Sequence, residues 1–150
     1  MEILLSILPD KNWHKDFLIK IDGIEEYADT YYFWTEEFGK LENPYNAICN
    51  RVSKYLSKWV DELRALPVGK ELFMPINFSD EYVGGFKIKS LNGYFNIAYG
   101  YIYEINNIVV QVGENSIYTN LNDKVIDSRI NIDMEKEQFL KSLTLLSPMS

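Results

Sequence analysis

Apolar residues recur along this chain in two periods, one of two residues and one near three and a half. Residues 2–8, Glu-Ile-Leu-Leu-Ser-Ile-Leu, make a short apolar run closed by Pro9-Asp10, which predicts a buried strand. Residues 17–21, Phe-Leu-Ile-Lys-Ile, predict a second strand ended by Asp22-Gly23. Residues 24–29 are acidic and read as a turn or short helix. Thr-Tyr-Tyr-Phe-Trp-Thr at 30–35 has the β-branched and aromatic content of a strand. In a strand with one buried face, two of the rings of Tyr31, Tyr32, Phe33 and Trp34 would point away from the core. Another element or a partner must then cover them.

The longer period appears after Asn43-Pro44. Asparagine can cap the free amides of a first helical turn, and proline fits the first helical position, where a missing N–H costs nothing. Ile48, Val52, Tyr55, Leu56, Trp59, Leu63 and Leu66 then form one apolar stripe. Asn50, Arg51, Lys54, Lys58, Asp61 and Glu62 occupy the other side. Leu66-Pro67-Val68-Gly69 ends the segment, so a helix is expected over about 44–66.

Beyond it the pattern returns to strands. Residues 71–78 read as one, and Asp80-Glu81-Tyr82 as a loop. Gly84-Gly85 reads as a bend or bulge, and Phe86-Lys87-Ile88-Lys89 has one buried and one wet face. Asn92-Gly93 is a tight-turn signal, since both residues tolerate positive φ. Residues 94–104 pair back, with Phe95, Ile97, Tyr99, Tyr101 and Tyr103 on one face. Asn106-Asn107 turns again into 108–112, and a short strand near 116–119 extends the meander. Residues 120–131 read as polar and irregular. Asp133 suits an N-cap, Glu135 and Glu137 suit a first turn, and Phe139, Leu140, Leu143 and Leu146 give a closing amphipathic helix before Pro148. The fold class expected is α+β: an antiparallel meander of about five to seven strands packed against one long central helix and a C-terminal helix. A length of 150 residues points to one domain, spanning 1–150.

Charge narrows the partner. The 22 acidic and 15 basic residues leave a net charge of −7. Nucleic acid and anionic membrane are therefore poor partners, because both are bound chiefly through Lys and Arg. A basic protein is a plausible one. The excess is concentrated: positions 1–42 hold 10 acidic and 4 basic residues. That concentration suits either a solvated face or a docking surface. The apolar start has no basic segment before it and is too short to span a bilayer, and one cysteine precludes an internal disulfide. The expected compartment is the cytoplasm.

Candidate chemistry is sparse. One His and one Cys cannot make a zinc set. Asp22, Glu25, Glu26 and Asp29 lack the alternating ligands and central Gly of a calcium loop, so no metal is expected. His14 lies in a polar stretch, and Cys49 in the first turns of the helix reads as a small buried residue. No local signature makes them a catalytic pair. Gly84-Gly85 is followed by no Lys-Ser/Thr and leads into a strand, so it is no phosphate loop. No cofactor is expected. Exposed tyrosines are frequent interface anchors, and those of the 94–103 segment could be either sheet surface or interface.

Three stretches carry a resemblance. Trp-Val-Asp-Glu-Leu from Trp59 is followed by Leu-Phe-Met-Pro-Ile-Asn-Phe-Ser-Asp-Glu-Tyr-Val-Gly-Gly-Phe-Lys-Ile, and then by Tyr-Phe-Asn-Ile-Ala-Tyr-Gly-Tyr ending at Tyr101. Together with the Phe-Leu-Lys-Ser-Leu run at 139–143, this resembles small bacterial immunity proteins of polymorphic toxin systems. The resemblance covers about half the chain, and its strongest piece is Phe78-Ser79-Asp80-Glu81-Tyr82 with Gly84-Gly85. It implies a cytoplasmic, non-catalytic protein that binds one cognate toxin and blocks it. An acidic inhibitor suits a basic toxin, whose approach it accelerates. The resemblance carries over no binding residues; the acidic and aromatic surface pattern makes Asp22, Glu25, Glu26, Asp29, Glu36 and Glu37 the expected partner-binding residues, with Asp80, Glu81 and Tyr82 as a second group. The alternatives are a self-assembling accessory domain, or a small carboxylate-dependent enzyme with a concave pocket.

Overall fold

A computed structural model of the chain describes residues 2–9, 14–33, 40–41, 44–79, 81–103, 121 and 126–146. Its strands divide between two antiparallel sheets. The first is built from β1 (Ile3–Ile7), β2 (Phe17–Ile21) and β3 (Ile24–Ala28), in that order. Strict alternation buries Ile3, Leu5 and Ile7 of β1 and Phe17, Ile19 and Ile21 of β2. Asp22 turns the chain between β2 and β3 with φ of +44°, a left-handed conformation that aspartate tolerates better than most residues.

Two expectations for this region are corrected. Residues 24–28 form a strand, not a turn or short helix. Two adjacent carboxylates obscure its period: Glu25 and Tyr27 point outward, while Ile24, Glu26 and Ala28 lie on the other face. Residues 30–33 form a 3-10 turn, not a strand. The reason lies in residue 16. Buried Asp16 accepts hydrogen bonds from the backbone N–H of Thr30 at 2.9 Å and from its hydroxyl, which pins the turn. Phe33 then drops between Tyr55 and Phe78, with centroids 5.3 and 5.8 Å away, and Tyr31 is left 55% exposed.

The predicted helix is present as α1 (Tyr45–Arg64). Ile48, Val52, Tyr55, Leu56, Trp59 and Leu63 are its buried stripe, as the spacing required. Asn43, the expected cap, lies outside the described residues. The Tyr55 hydroxyl donates to the Pro75 carbonyl and ties the helix to the second sheet.

That second sheet runs β4 (Glu71–Phe78), β5 (Val83–Ser90), β6 (Tyr94–Ile102) and β7 (Asp127–Glu135) in sequential order. Asn92-Gly93 makes the predicted turn, with Gly93 at φ +88°. The bulge expected near Gly84-Gly85 falls on the facing strand, where Pro75 pairs with Gly85 and Asn77 with Gly84, so Ile76 is the extra residue. A Cβ at Gly85 would come within 2.2 Å of the Met74 carbonyl oxygen, which explains the glycine there.

The largest correction concerns 127–135. The sequence reads as irregular up to 131 and helical from Asp133, yet the whole segment is strand β7. Ile130, Ile132 and Met134 alternate inward against Tyr99, Ile97 and Phe95. Asp133 does not cap a helix; its carboxylate accepts from the Asn96 side-chain amide at 2.8 Å. Helix α2 (Lys136–Ser142) follows directly and buries Phe139 and Leu140, with Leu143 buried just beyond. Leu146 is 48% exposed, because the chain has left the helix there and its N–H donates to the Leu5 carbonyl of β1. The expected turn at 106–107 and the strands at 108–112 and 116–119 fall outside the described residues.

Buried residues from both sheets and both helices join one hydrophobic cluster. Phe139 sits edge-on to Phe86 and Phe95, at 5.6 and 5.9 Å, and so anchors α2 on the second sheet. Arg64 at the end of α1 donates to Glu137 in the first turn of α2 at 2.6 Å.

Candidate partner-binding surface

The pleat of β3 separates the two carboxylates that stand side by side in the sequence. Glu25 is on the outer face, opposite Lys20 of β2, whose ammonium lies 3.9 Å away. The Tyr27 hydroxyl donates to Glu25 at 2.7 Å, and both side chains are exposed. That bond, and then the charge behind it, raises the Tyr27 hydroxyl above its ordinary pKa.

Glu26 points the other way, beside buried Ile19. Its Oε2 accepts from the Tyr99 hydroxyl at 2.5 Å and from the Asn77 side-chain amide at 3.1 Å. A carboxylate of the first sheet thus receives donors from β6 and β4 of the second. Tyr99 is fully buried, and burial first, then the Glu26 charge, pushes its hydroxyl well above the ordinary tyrosine value. A half-buried carboxylate is tolerable here because two hydrogen bonds replace part of its hydration.

A second group of rings continues from Tyr99. Tyr101 lies 5.9 Å from it, Tyr103 lies 6.1 Å from Tyr101, and Tyr82 meets Tyr101 edge-on at 5.3 Å. Gly84 pairs with Tyr101, and a Cβ there would stand 3.1 Å from the Tyr101 ring and from the Asn77 Cβ. The glycine therefore lets the ring lie low across β5. Burial raises the Tyr82 hydroxyl, the Glu26 charge adds to this, and a hydrogen bond with Asn77 opposes it. On β7 the register slips: Tyr99 pairs with Ile130 and Gly100 with Ser128, so Arg129 is a bulge residue. Its guanidinium lies 5.4 Å from the Tyr101 ring centre, donates to the Tyr103 hydroxyl at 3.3 Å and meets Asp127 at 3.1 Å.

Of the residues predicted from sequence, Glu26 and Asp29 lie near enough to Tyr82 for their charges to help raise its hydroxyl, and no direct contact joins the three among the described residues. Asp29 has a structural duty as well, since its Oδ1 accepts from the Lys15 N–H at 2.7 Å. Asp22 is exposed at the β2–β3 turn, and Glu81 is exposed beside Ser79, whose hydroxyl accepts from the Glu81 N–H at 3.3 Å. Glu36, Glu37 and Asp80 lie outside the described residues. Sequence reasoning missed Asn77 and Arg129. It did place Tyr99, Tyr101 and Tyr103 on one face, and that alternation was the available signal.

Other groups with chemical potential are engaged locally. His14 is exposed and stacks on Tyr31, with planes 10° apart. The Cys49 thiol is raised by burial and lies against the Tyr45 hydroxyl, which is itself pushed up to about 12. Among the described residues no three His, Cys, Asp or Glu side chains converge on a metal-sized site. None of the described helices is long and apolar enough to cross a membrane. A 370 Å³ hollow between β1 and α2, floored by Leu4, Met134 and Leu145, and a 550 Å³ hollow on the polar side of α1 include none of the Glu26 cluster.

The described fold is therefore α+β, two antiparallel meanders with a long helix and a short C-terminal one. No family pattern, curated protein sequence or solved structure matches the chain.

Proposed function

We propose that the chain is a non-catalytic, immunity-type protein that binds and neutralises a basic bacterial toxin domain in the cytoplasm, through its acidic, tyrosine-bearing surface. The observation that carries this reading is the outer face of β3. There Tyr27, 48% exposed, is restrained by its hydrogen bond to exposed Glu25. A tyrosine fixed in place loses little entropy on contact and is a common interface anchor, and the carboxylate beside it favours a cationic partner. Tyr31 and Tyr103, each more than half exposed, supply further anchors. The net charge of −7, concentrated in the first third, would speed encounter with a basic domain.

The test is protection. Candidate toxin domains among the products of the neighbouring genes are expressed in bacteria with and without the chain, and each is purified and mixed with it. The proposal requires rescued growth and a stoichiometric complex. Growth arrest undiminished by the chain, with separate elution of the two proteins, rejects it.

A further inference from the structure

We infer that the outer edge of β3 receives an extended segment of a basic protein, which pairs antiparallel with the backbone of Glu25 and Tyr27 and sets a Lys or Arg beside the Glu25 carboxylate. This inference rests on the inhibitor reading for the identity of that protein, and it names how one strand of it is held.

The pairing pattern fixes which groups this edge offers. Around β2 the even-numbered residues bond β1, since the Asp22 N–H donates to the Glu2 carbonyl and the Asp16 carbonyl accepts from the Leu8 N–H. Phe17, Ile19 and Ile21 therefore bond β3, through Ala28, Glu26 and Ile24. The N–H and carbonyl of Glu25 and of Tyr27 point the other way, and among the described residues no strand lies beyond them. Both residues are exposed, and a Cβ at Gly23, where this edge begins, would meet nothing within 4 Å.

The other sheet edges are blunted. On β1 the Leu5 carbonyl accepts from the Leu146 N–H at 2.8 Å, and the Ile7 carbonyl from the Tyr45 hydroxyl at 3.0 Å. On β4 Pro75 has no N–H and gives its carbonyl to Tyr55. Strand β7 is bulged at Arg129. Among the described residues β3 has neither a bulge nor a covering group.

Charge selects the occupant. Residues 22–29 include four acidic residues and no basic one. The ion pair of Glu25 with Lys20 is 3.9 Å long between exposed groups, so it contributes little and leaves the carboxylate able to take a second cation. A second copy of this chain fits badly. The register that would pair Glu25 of each copy with Tyr27 of the other sets the two Glu26 side chains directly opposite, and like charges so placed are destabilising. A partner strand that reads apolar-x-Lys or apolar-x-Arg fits well. In antiparallel pairing its apolar residue covers the Tyr27 ring and its cation meets Glu25 on the same face.

The test follows backbone amides of the full chain by NMR. In the free chain the amides of Glu25 and Tyr27 should exchange about tenfold or more faster than those of Glu26 and Ala28. Protection of Glu25 and Tyr27 there overturns the inference, because the edge is then held by another segment of the chain or, where protection grows with concentration, by a second copy. The probe is acetyl-Thr-Thr-Val-Thr-Lys-Thr-Thr-amide. The control is the same peptide N-methylated at Val and Lys, which keeps the side chains and loses the two donors that face the edge. The probe should shift the Glu25 and Tyr27 amides saturably and slow their exchange, and the control should do neither. Glu25→Gln, a change at an exposed site, should weaken probe binding about threefold or more. No saturable shift, equal shifts with both peptides, shifts centred on another strand, or equal binding by the Glu25 variant overturns the inference. The assay contains no toxin, so its failure leaves the protection experiment to stand or fall separately.

Discussion

The hydroxyl of Tyr99 donates to the carboxylate of Glu26 across 73 residues of sequence, and this bond joins the two sheets. It involves a charged acceptor and a fully buried donor, so it should be among the stronger side-chain bonds in the molecule. Tyr99→Phe should cost about 1.5–3 kcal/mol in urea unfolding, and Glu26→Ala a similar amount or more, because it strands both Tyr99 and Asn77. In a double-mutant cycle the two should couple by about 1 kcal/mol or more. Strict additivity would mean that the Tyr99–Glu26 bond contributes nothing to holding the sheets together.

Trp59 is 3% exposed on the buried stripe of α1. Trp59→Ala should destabilise the chain by about 3–5 kcal/mol, whereas Ser57→Ala on the exposed side should stay within about 0.5 kcal/mol. A wild-type melting temperature for the Trp59 variant would contradict the packing of this helix.

Glycines divide by their surroundings. A Cβ at Gly100 would lie 2.3 Å from the Asp127 carbonyl oxygen, at the bulge that carries Arg129. Gly100→Ala should therefore cost about 1–3 kcal/mol and weaken the β6–β7 pairing, seen as faster amide exchange in 127–130. At Gly23 nothing lies within 4 Å, and Gly23→Ala should change stability by less than about 0.5 kcal/mol.

Two carboxyl groups give opposite pH dependences. Burial raises the Asp16 pKa above the usual 3.8, although bonds from Thr30 resist the rise. Between 3.8 and the raised value the folded state holds a proton that the unfolded chain has released, so the Asp16 contribution to stability falls as pH rises through that window. Glu137 is lowered from its usual 4.5 by the hydrogen bond from Arg64. Its contribution is present above 4.5 and is lost as pH falls through the lowered value. Urea unfolding between pH 3 and 7 should show wild type gaining on Asp16→Asn toward acid and losing its advantage over Glu137→Gln. The reverse slopes would place these groups in other environments.

How much of this was legible follows from what each signal samples. Helix α1 and strands β1, β2, β4, β5 and β6 declare themselves through local periodicity, and the turn at Gly93 through its residue types. Strand β3 was hidden because Glu26, the one charged residue on its inner face, takes its partners from Asn77 and Tyr99 far along the chain. The 3-10 turn at 30–33 was hidden for a similar reason, since its pin is Asp16. Strand β7 was a different failure. Ile130, Ile132 and Met134 alternate plainly, but Asp133 before an apolar run also resembles a helix cap, and the local reading favoured the wrong motif. The candidate surface was legible in composition but not in geometry, because no sequence signal says that Glu25 faces outward while Glu26 faces Tyr99.

The central claim is that the acidic face captures a basic toxin domain. The most direct measurement is the association rate of the chain with a toxin domain found among the products of its neighbouring genes, taken from low to high salt. Wild type is compared with a variant carrying Glu25→Lys and Glu81→Lys. Both sites are exposed, and the reversal leaves Glu26 and Asp29 with their structural bonds. The account predicts an association rate that falls steeply with salt, and a variant that associates about tenfold or more slowly at low salt while its melting temperature drops by no more than about 5 °C, the cost of facing Lys20 with a like charge. A rate indifferent to both salt and charge reversal, or no association at all, would contradict it.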